Sequence, residues 1–399
     1  MLWLALLEFR LFHLTKIIPL KGLISILGEF DMDLKKIRED LHRIPELGFK
    51  EFKTQNYIHN IVKHYTELKP HFFDFPGIIY QYQNGAGPYT LFRADMDALS
   101  LQEETDCSFQ SEHPGLMHAC GHDLHMTILL GLIQKVIREK PLKNILFLFQ
   151  PAEEGKGGAQ KVLETGVLDK FKISRVFALH VNGTLPLGTI ASRPGIFFAA
   201  AQEVKVEFKG ISAHVAFPEK GRNALAAGVM FYAKFKERMA LEYPETDTAL
   251  VEFGRMTAGT VMNAIAGECI LEGTVRAFKN EDLKFIKKLI EITALQSAEK
   301  FQLEFKIEYG SYYRQVKNDA QLVEILKAVV DFLHLKYLTA EKVFTGEDFG
   351  IFTHRYKGLL FWLGTNLGEN ADLHSSKFLP SAEVIPKGID IFWNLLNSK

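Results

Sequence analysis

The chain is poor in cysteine: Cys107, Cys120 and Cys269 are an odd number of thiols in 399 residues, with no C-x-x-C pair among them. That scarcity excludes a disulfide framework and fits a reducing compartment, so a cytoplasmic protein is expected. An excess of either charge is also missing. With 47 basic against 48 acidic side chains and no block of one sign, nothing favours a nucleic-acid groove or an anionic membrane as partner, and a small molecule is the expected ligand. Long uncharged apolar runs are absent as well. Met1 to Leu7 is apolar, but Glu8, Arg10, Lys16 and Lys21 interrupt the stretch, and neither a basic leading segment nor a small-residue cleavage site marks a signal peptide. An amphipathic interfacial helix stays open for this stretch. The preferred reading starts the protein at Met32, where the helical pattern Leu34, Ile37, Leu41 begins, and treats residues 1–31 as an extension of uncertain status. What is present, 47% hydrophobic residues over 399, is enough for a full core and suits two domains better than one.

Periodicity divides the chain. From 203 onward a strand with Val204, Val206 and Phe208 alternating is followed by a helix from Asn223 to about 240 and strands near 248–254 and 268–277. A helix at 280–300 and a strand from Gln302 to Tyr309 close the unit. The order βαββαβ predicts a ferredoxin-like sandwich inserted in a larger domain. The flanks alternate short apolar strands with helices, the pattern of a mixed β-sheet covered by helices in an α/β domain. The expected organisation is a discontinuous catalytic domain, 32–202 and 314–399, carrying a lid and dimerisation domain at 203–313.

Chemistry-bearing residues gather at predicted strand ends. The strand from Tyr89 leads to Asp95 and Asp97, that from Asn144 to Glu153 and Glu154, that from Arg175 to His180, and that from Gly358 to a loop holding His374. Sites of open α/β sheets form at the carboxyl ends of strands, so four strands would supply one edge. Cys120 and His122 precede the apolar helix Leu124 to Val136, whose N-terminal dipole would favour a thiolate. One thiol with His118, His122 and His125 around it, plus adjacent glutamates on a Gly-rich strand-to-helix loop, suits metal-assisted hydrolysis: one carboxylate binds the ion and the other takes a proton from water. A Cys/His nucleophile, a purely structural zinc and a catalytically silent binding protein are the competing readings. The first two leave Glu153 without a role.

The motifs LHRIPELGF at 41–49, RADMDAL at 93–99, MHACGHDLH at 117–125, FQPAEEG at 149–155, ALH at 178–180, GEDFG at 346–350 and LHSSKF at 373–378 resemble the M20 metallopeptidase superfamily. The likeness is to its amidohydrolase branch, with aminoacylases, hippurate hydrolases and auxin-conjugate hydrolases, and runs from about Leu34 to Pro380. It implies Cys120, His122, Glu154, His180 and His374 as ligands of two divalent ions (Zn, Mn, Co or Ni) and Glu153 as general base. Asp95 and Asp97 stand where the superfamily has an aspartate orienting a metal-bound histidine. The resemblance further implies that His214 stabilises the oxyanion, in many relatives across a subunit interface, that Asn263 and Arg276 bind substrate from the lid, and that the protein is a homodimer or higher homo-oligomer. The implied reaction is removal of an acetyl group from N-acetyl-L-diaminopimelate, with hippurate or other N-acyl amino acids as the alternative substrates. Two departures stand in the lid: Glu219 replaces a histidine common after A-A-x-P, and Ala266 replaces the proline of N-x-I-P.

Overall fold

In the computed structural model, residues 31–243, 247–368 and 372–398 are described. The expectations about the segment preceding Met32 fall on residues 1–30, outside the described residues. The larger sheet has eight strands in the order β1-β2-β4-β3-β5-β14-β6-β13. They are β1 (Lys69–Phe72), β2 (Ile78–Gln83), β3 (Tyr89–Asp95), β4 (Asn144–Gln150), β5 (Ile173–Pro186), β6 (Ile190–Ser192), β13 (Tyr337–Thr339) and β14 (Lys357–Asn366). The four central neighbours β4, β3, β5 and β14 run parallel, so their carboxyl ends share one rim.

Strands β3 and β4 are buried at every position, as the near-continuous apolar runs YTLF and ILFLF require of central strands covered on both faces. Their alternate side chains feed two cores. Phe92, Phe147, Phe149 and Phe177 point into a cluster with helices α1 (Leu34–Arg43), α2 (Phe52–Tyr65) and α3 (His122–Glu139), whereas Leu91, Leu146, Leu148 and Val176 pack on the opposite side. Truncating a fully buried Phe147 to Ala would cost about 3–5 kcal/mol. Asp33 caps α1 by accepting from the Lys36 N–H at 3.0 Å, and the helix buries Ile37, Leu41 and His42.

The second sheet has the order β11-β8-β10-β9, every pair antiparallel. Its strands are β8 (Ala200–Lys209), β9 (Ala249–Ala258), β10 (Glu268–Ala277) and β11 (Glu304–Tyr313), with helices Ala224–Glu242 and Asn280–Phe301 on one side. This is the ferredoxin-like βαββαβ arrangement, with its own core around Phe208, Phe231, Leu271 and Ile290. β11 alternates exposed and half-buried residues, as a sheet with one wet face should. The segments leading into and out of this unit, β7 (Gly195–Phe198) and β12 (Val316–Asn318), pair with each other as a two-stranded ribbon. Among the described residues no helix is long and apolar enough to cross a membrane.

Candidate metal centre and active site

The parallel strands deliver their polar residues to one rim, with one correction. His180 lies inside β5, not at its end: pairing with β14 continues past Trp362↔His180 to Gly364↔Asn182, so the strand runs on and the imidazole lies buried on a central strand. Its ring meets Trp362 edge-on at 5.2 Å between centroids. Helix α3 begins at His122, which leaves Cys120 on the loop before it. Gly121, at φ +82°, makes the turn; a Cβ there would lie 2.4 Å from Val181 Cγ2, so only glycine fits.

Cys120 Sγ stands 3.4 Å from both His180 Nε2 and His374 Nε2, and His374 Nε2 stands 3.3 Å from Glu154 Oε1. Donor atoms of Cys120, His122 and Glu154 fall within 4.8 Å of one another. Around a tetrahedral zinc, bond lengths of about 2.0–2.3 Å put neighbouring donors about 3.4–3.6 Å apart, so these spacings suit ligands of a cation. The tautomers agree. His122 Nδ1 donates to the Asp97 carbonyl at 2.8 Å and His180 Nδ1 to the Val181 carbonyl at 2.8 Å, so each histidine keeps its Nε2 for another partner, which for His180 is the thiol. His122 Nε2 is buried with no hydrogen-bond partner, a cost that a cation removes.

Burial, then the carboxylates of Glu154 and Glu153, push Cys120 well above the ordinary thiol range. Burial opposes charge on His122, yet Asp95 and Asp97 outweigh it and raise the imidazole to about 10. Both shifts express one surplus of negative charge, which a divalent cation relieves by replacing the protons on Sγ and Nε2.

The two aspartates do different work. Asp97 Oδ1 and Oδ2 accept from the backbone N–H groups of Glu153 and Glu154 at 3.0 and 2.9 Å, so this carboxylate fixes the glutamate loop, and it is the Asp97 carbonyl that orients His122. Asp95 accepts from His125 Nδ1 at 2.6 Å, and His125 Nε2 in turn accepts from the Val181 N–H at 2.9 Å. The glutamate loop is tight. Ala152 is held left-handed at φ 57°, and a Cβ on Gly158 would come within 1.7 Å of the Pro151 carbonyl oxygen.

Behind Glu153 lies a buried network of which only Asp95 carries a role in the sequence motifs. Arg93 donates to Asp95 Oδ2 at 2.7 Å, Glu347 Oε1 at 3.1 Å, Asp348 Oδ1 at 2.9 Å and Gln150 Oε1 at 2.9 Å. Glu347 and Asp348 come from the GEDFG motif. The signal was an arginine alone in the apolar strand YTLFRAD, because a buried cation needs carboxylates around it. Burial, then Glu347 and Glu154, push Glu153 well above the usual carboxylate range, which suits a group that must hold a proton.

A cleft of about 770 Å³ between the two sheets is lined by Cys120, Glu153, Glu154, His180 and His374 on one side and Arg276, Ser311 and Tyr313 on the other. The Tyr313 hydroxyl donates to the Glu153 carbonyl and Ser311 Oγ to the Gly155 carbonyl at 2.7 Å, tying the second sheet to the glutamate loop. Arg276 Nη1 donates to the Phe344 carbonyl at 2.9 Å. His214 and Asn263 are not brought to this cleft. They lie together on the exposed surface of the second unit, joined by the His214↔Ala264 bridge and the Val215 N–H to Asn263 carbonyl bond of 3.2 Å.

A helix-covered mixed sheet bringing a thiol, imidazoles and paired glutamates to one rim defines a metal-dependent hydrolase. The chain belongs to peptidase family M20/M25/M40, whose profile matches residues 91–398. It is 38% identical over 358 residues to an N-acetyldiaminopimelate deacetylase of Bacillus velezensis, covering 89% of this chain and 95% of the relative. A Bacillus subtilis N-acetyldiaminopimelate deacetylase is 38% identical over 362 residues, 90% of this chain and 96% of the relative. The solved structure of a dinuclear metal-binding peptidase of the M20 family from Bacillus subtilis superposes with a TM-score of 0.77 at 29% identity, over 91% of this chain and 96% of that one.

Proposed function

We propose that the protein hydrolyses N-acetyl-L-diaminopimelate to L,L-diaminopimelate and acetate, a step in making lysine and cell-wall precursors. The observation that carries the chemistry is the pair of histidines, His122 and His180, each with Nδ1 committed to a carbonyl, the Nε2 of His180 against Cys120 and that of His122 buried without a hydrogen-bond partner, next to the buried Glu153. The acetyl diamino acid is supported by relatives of that name at 35–38% identity over about nine-tenths of the chain.

Cys120, His122, Glu154, His180 and His374 would hold two divalent ions; the thiol favours Zn²⁺, while the carboxylate and imidazoles also suit Mn²⁺, Co²⁺ and Ni²⁺. Bound there, such ions polarise the amide carbonyl and lower the pKa of water. Glu153 takes the proton of the attacking water and returns it to the departing nitrogen, so that amide plus water gives acetate and a free ammonium group. Asp97 holds that carboxylate's backbone in place. Arg276 faces the cleft with one nitrogen on Phe344, leaving the rest of its guanidinium for a substrate carboxylate. The unit at 203–313 acts as a lid and dimerisation domain: the exposed stripe Leu225, Val229 and Tyr232 on its first helix supports a homodimer, where His214 would reach the partner's cleft to stabilise the oxyanion and Asn263 would bind substrate. Its three free cysteines fit the cytoplasm.

The test is a substrate panel. Purified protein with each metal in turn should release amine from N-acetyl-L-diaminopimelate with a kcat/KM at least tenfold above that for hippurate or N-acetylmethionine. Preference for hippurate would reassign it as a broader N-acyl amino acid hydrolase, and no amine from any of them with metal bound would leave a silent binding protein.

A further inference from the structure

A second cluster of metal-type donors lies away from the cleft, under helix α1. His42 Nε2 stands 3.1 Å from Glu103 Oε1, and Cys107 Sγ stands 3.7 Å from the same oxygen. The three donor atoms all fall within 4.8 Å of one another. Ideal tetrahedral zinc places an imidazole nitrogen about 3.4 Å and a thiolate sulfur about 3.6 Å from a carboxylate oxygen, close to both separations.

Two further observations point the same way. The Thr105 hydroxyl also bonds Glu103 Oε1, so three donors converge on an oxygen with two lone pairs, while Glu103 Oε2 accepts the Ser111 N–H at 2.7 Å. Oε1 is therefore oversubscribed by protons that a cation would displace. Behind the imidazole, His42 Nδ1 bonds Asp123 Oδ2 at 2.8 Å, and Asp123 is paired with Arg38 Nε at 2.9 Å. A carboxylate on the far nitrogen is the support that metal-bound histidines receive in zinc proteins. His42 is fully buried and Glu103 nearly so, while Cys107 is half-buried, which gives an ion a way in from solvent.

We propose that His42, Glu103 and Cys107 form a third cation site, for Zn²⁺ or a similar borderline ion, separate from the catalytic centre. Loading removes one proton from the His42 Nε2 side and one from the Cys107 thiol, leaving a neutral assembly of Zn²⁺, thiolate, carboxylate and imidazole with water as fourth ligand. Its role is structural: it clamps helix α1, the 103–111 loop and, through Asp123, the start of helix α3.

The experiment is metal counting on the full chain. Zinc-loaded wild type, dialysed and analysed by plasma mass spectrometry, should hold one equivalent per chain more than Cys107→Ser, and Cys107→Ser should keep normal kcat. Equal zinc content in the two proteins overturns the proposal. A spectroscopic arm is independent of zinc counts: the Cys120→Ser variant loaded with Co²⁺ should retain a thiolate-to-cobalt charge-transfer band that vanishes in Cys107→Ser/Cys120→Ser. Cys269 is fully buried in the other unit and does not contribute. A folded Cys120→Ser protein without that band would also refute the site.

Discussion

Asp97→Asn isolates the role of one carboxylate without changing its shape. Both oxygens of Asp97 accept backbone N–H groups, Glu153's at 3.0 Å and Glu154's at 2.9 Å. An asparagine retains one acceptor and turns an NH₂ group on the other N–H. The loss is one buried charge-assisted hydrogen bond, about 1.5–3 kcal/mol, and a donor left facing a donor. If the strain is released by shifting the glutamate loop, the cost appears in the transition state: at about 1.4 kcal/mol per factor of ten, kcat falls about 10- to 150-fold. If the loop holds, the cost appears in stability, as a Tm lowered by roughly 2–4 °C for a chain of this size. Measuring kcat with saturating metal and the unfolding midpoint on the same preparation separates the two. Asp97→Asn with kcat within threefold of wild type and an unchanged Tm would refute the claim that this carboxylate positions the glutamates.

Three other outcomes follow from the same geometry. Glu153→Ala should retain bound metal but lose 10²- to 10⁴-fold in turnover, checked by metal analysis beside a single-turnover assay. Arg276→Ala should lower kcat/KM for N-acetyl-L-diaminopimelate by about 10- to 150-fold with little change for an acyl amide lacking a carboxylate, since one charge-assisted contact is worth about 1.5–3 kcal/mol. Glu51 supplies a pH test: burial, then Asp97, raise its carboxyl to about 8, and Oε2 has no partner while Oε1 accepts the Ala152 N–H at 2.8 Å. Because the folded chain binds this proton more tightly than the unfolded one, its contribution is complete below pH 4.5 and is lost as pH rises to about 8. Glu51→Gln keeps the shape without the titration, so denaturant unfolding should show it gaining on wild type by on the order of 3–5 kcal/mol between pH 5 and 9; parallel curves for the two proteins would contradict that.

Much of the site was legible because its residues carry chemistry that packing does not explain. A thiol among histidines and two glutamates before a glycine run have no use in a core, and strand periodicity put them on one rim. The fold of the second unit was equally legible, since alternation in β8 and helical spacing at 224–242 announce βαββαβ order without tertiary information. The end of β5 was not, because a strand's length past His180 depends on β14, nearly two hundred residues away, continuing beside it. Nor was the division of labour between Asp95 and Asp97. Both follow one strand, and only the fold decides that one meets His125 and the other two backbone amides. His214 and Asn263 show the opposite limit: their motifs are readable, but the single chain leaves both on the exposed surface of the second unit, outside its own cleft, and the subunit crossing that the resemblance implies for His214 involves a second chain.

The buried carboxylates explain why the centre belongs where it is. Asp95, Asp97, Glu153, Glu347 and Asp348 are all at most 5% exposed and crowd one end of the sheet, with Arg93 as their buried guanidinium. Arg93 and the His122 imidazole are fewer than the acids around them, and each further ionised acid costs several kcal/mol. The chain answers in part by raising proton affinity: burial pushes Glu153 and Glu347 up, and Asp348 to about 8. For Asp348 the geometry argues the other way, since Arg93, Gln150 and the Ala159 N–H all donate to it and hold it ionised. The member whose proton affinity rises with no guanidinium on its carboxyl is Glu153. Divalent ions beside Cys120 and Glu154 would draw that proton's affinity down into the range where a base both takes and returns it. Metal binding and base strength are therefore one property of this cluster, and removing the ions should shift the pH dependence of any residual Glu153 chemistry upward.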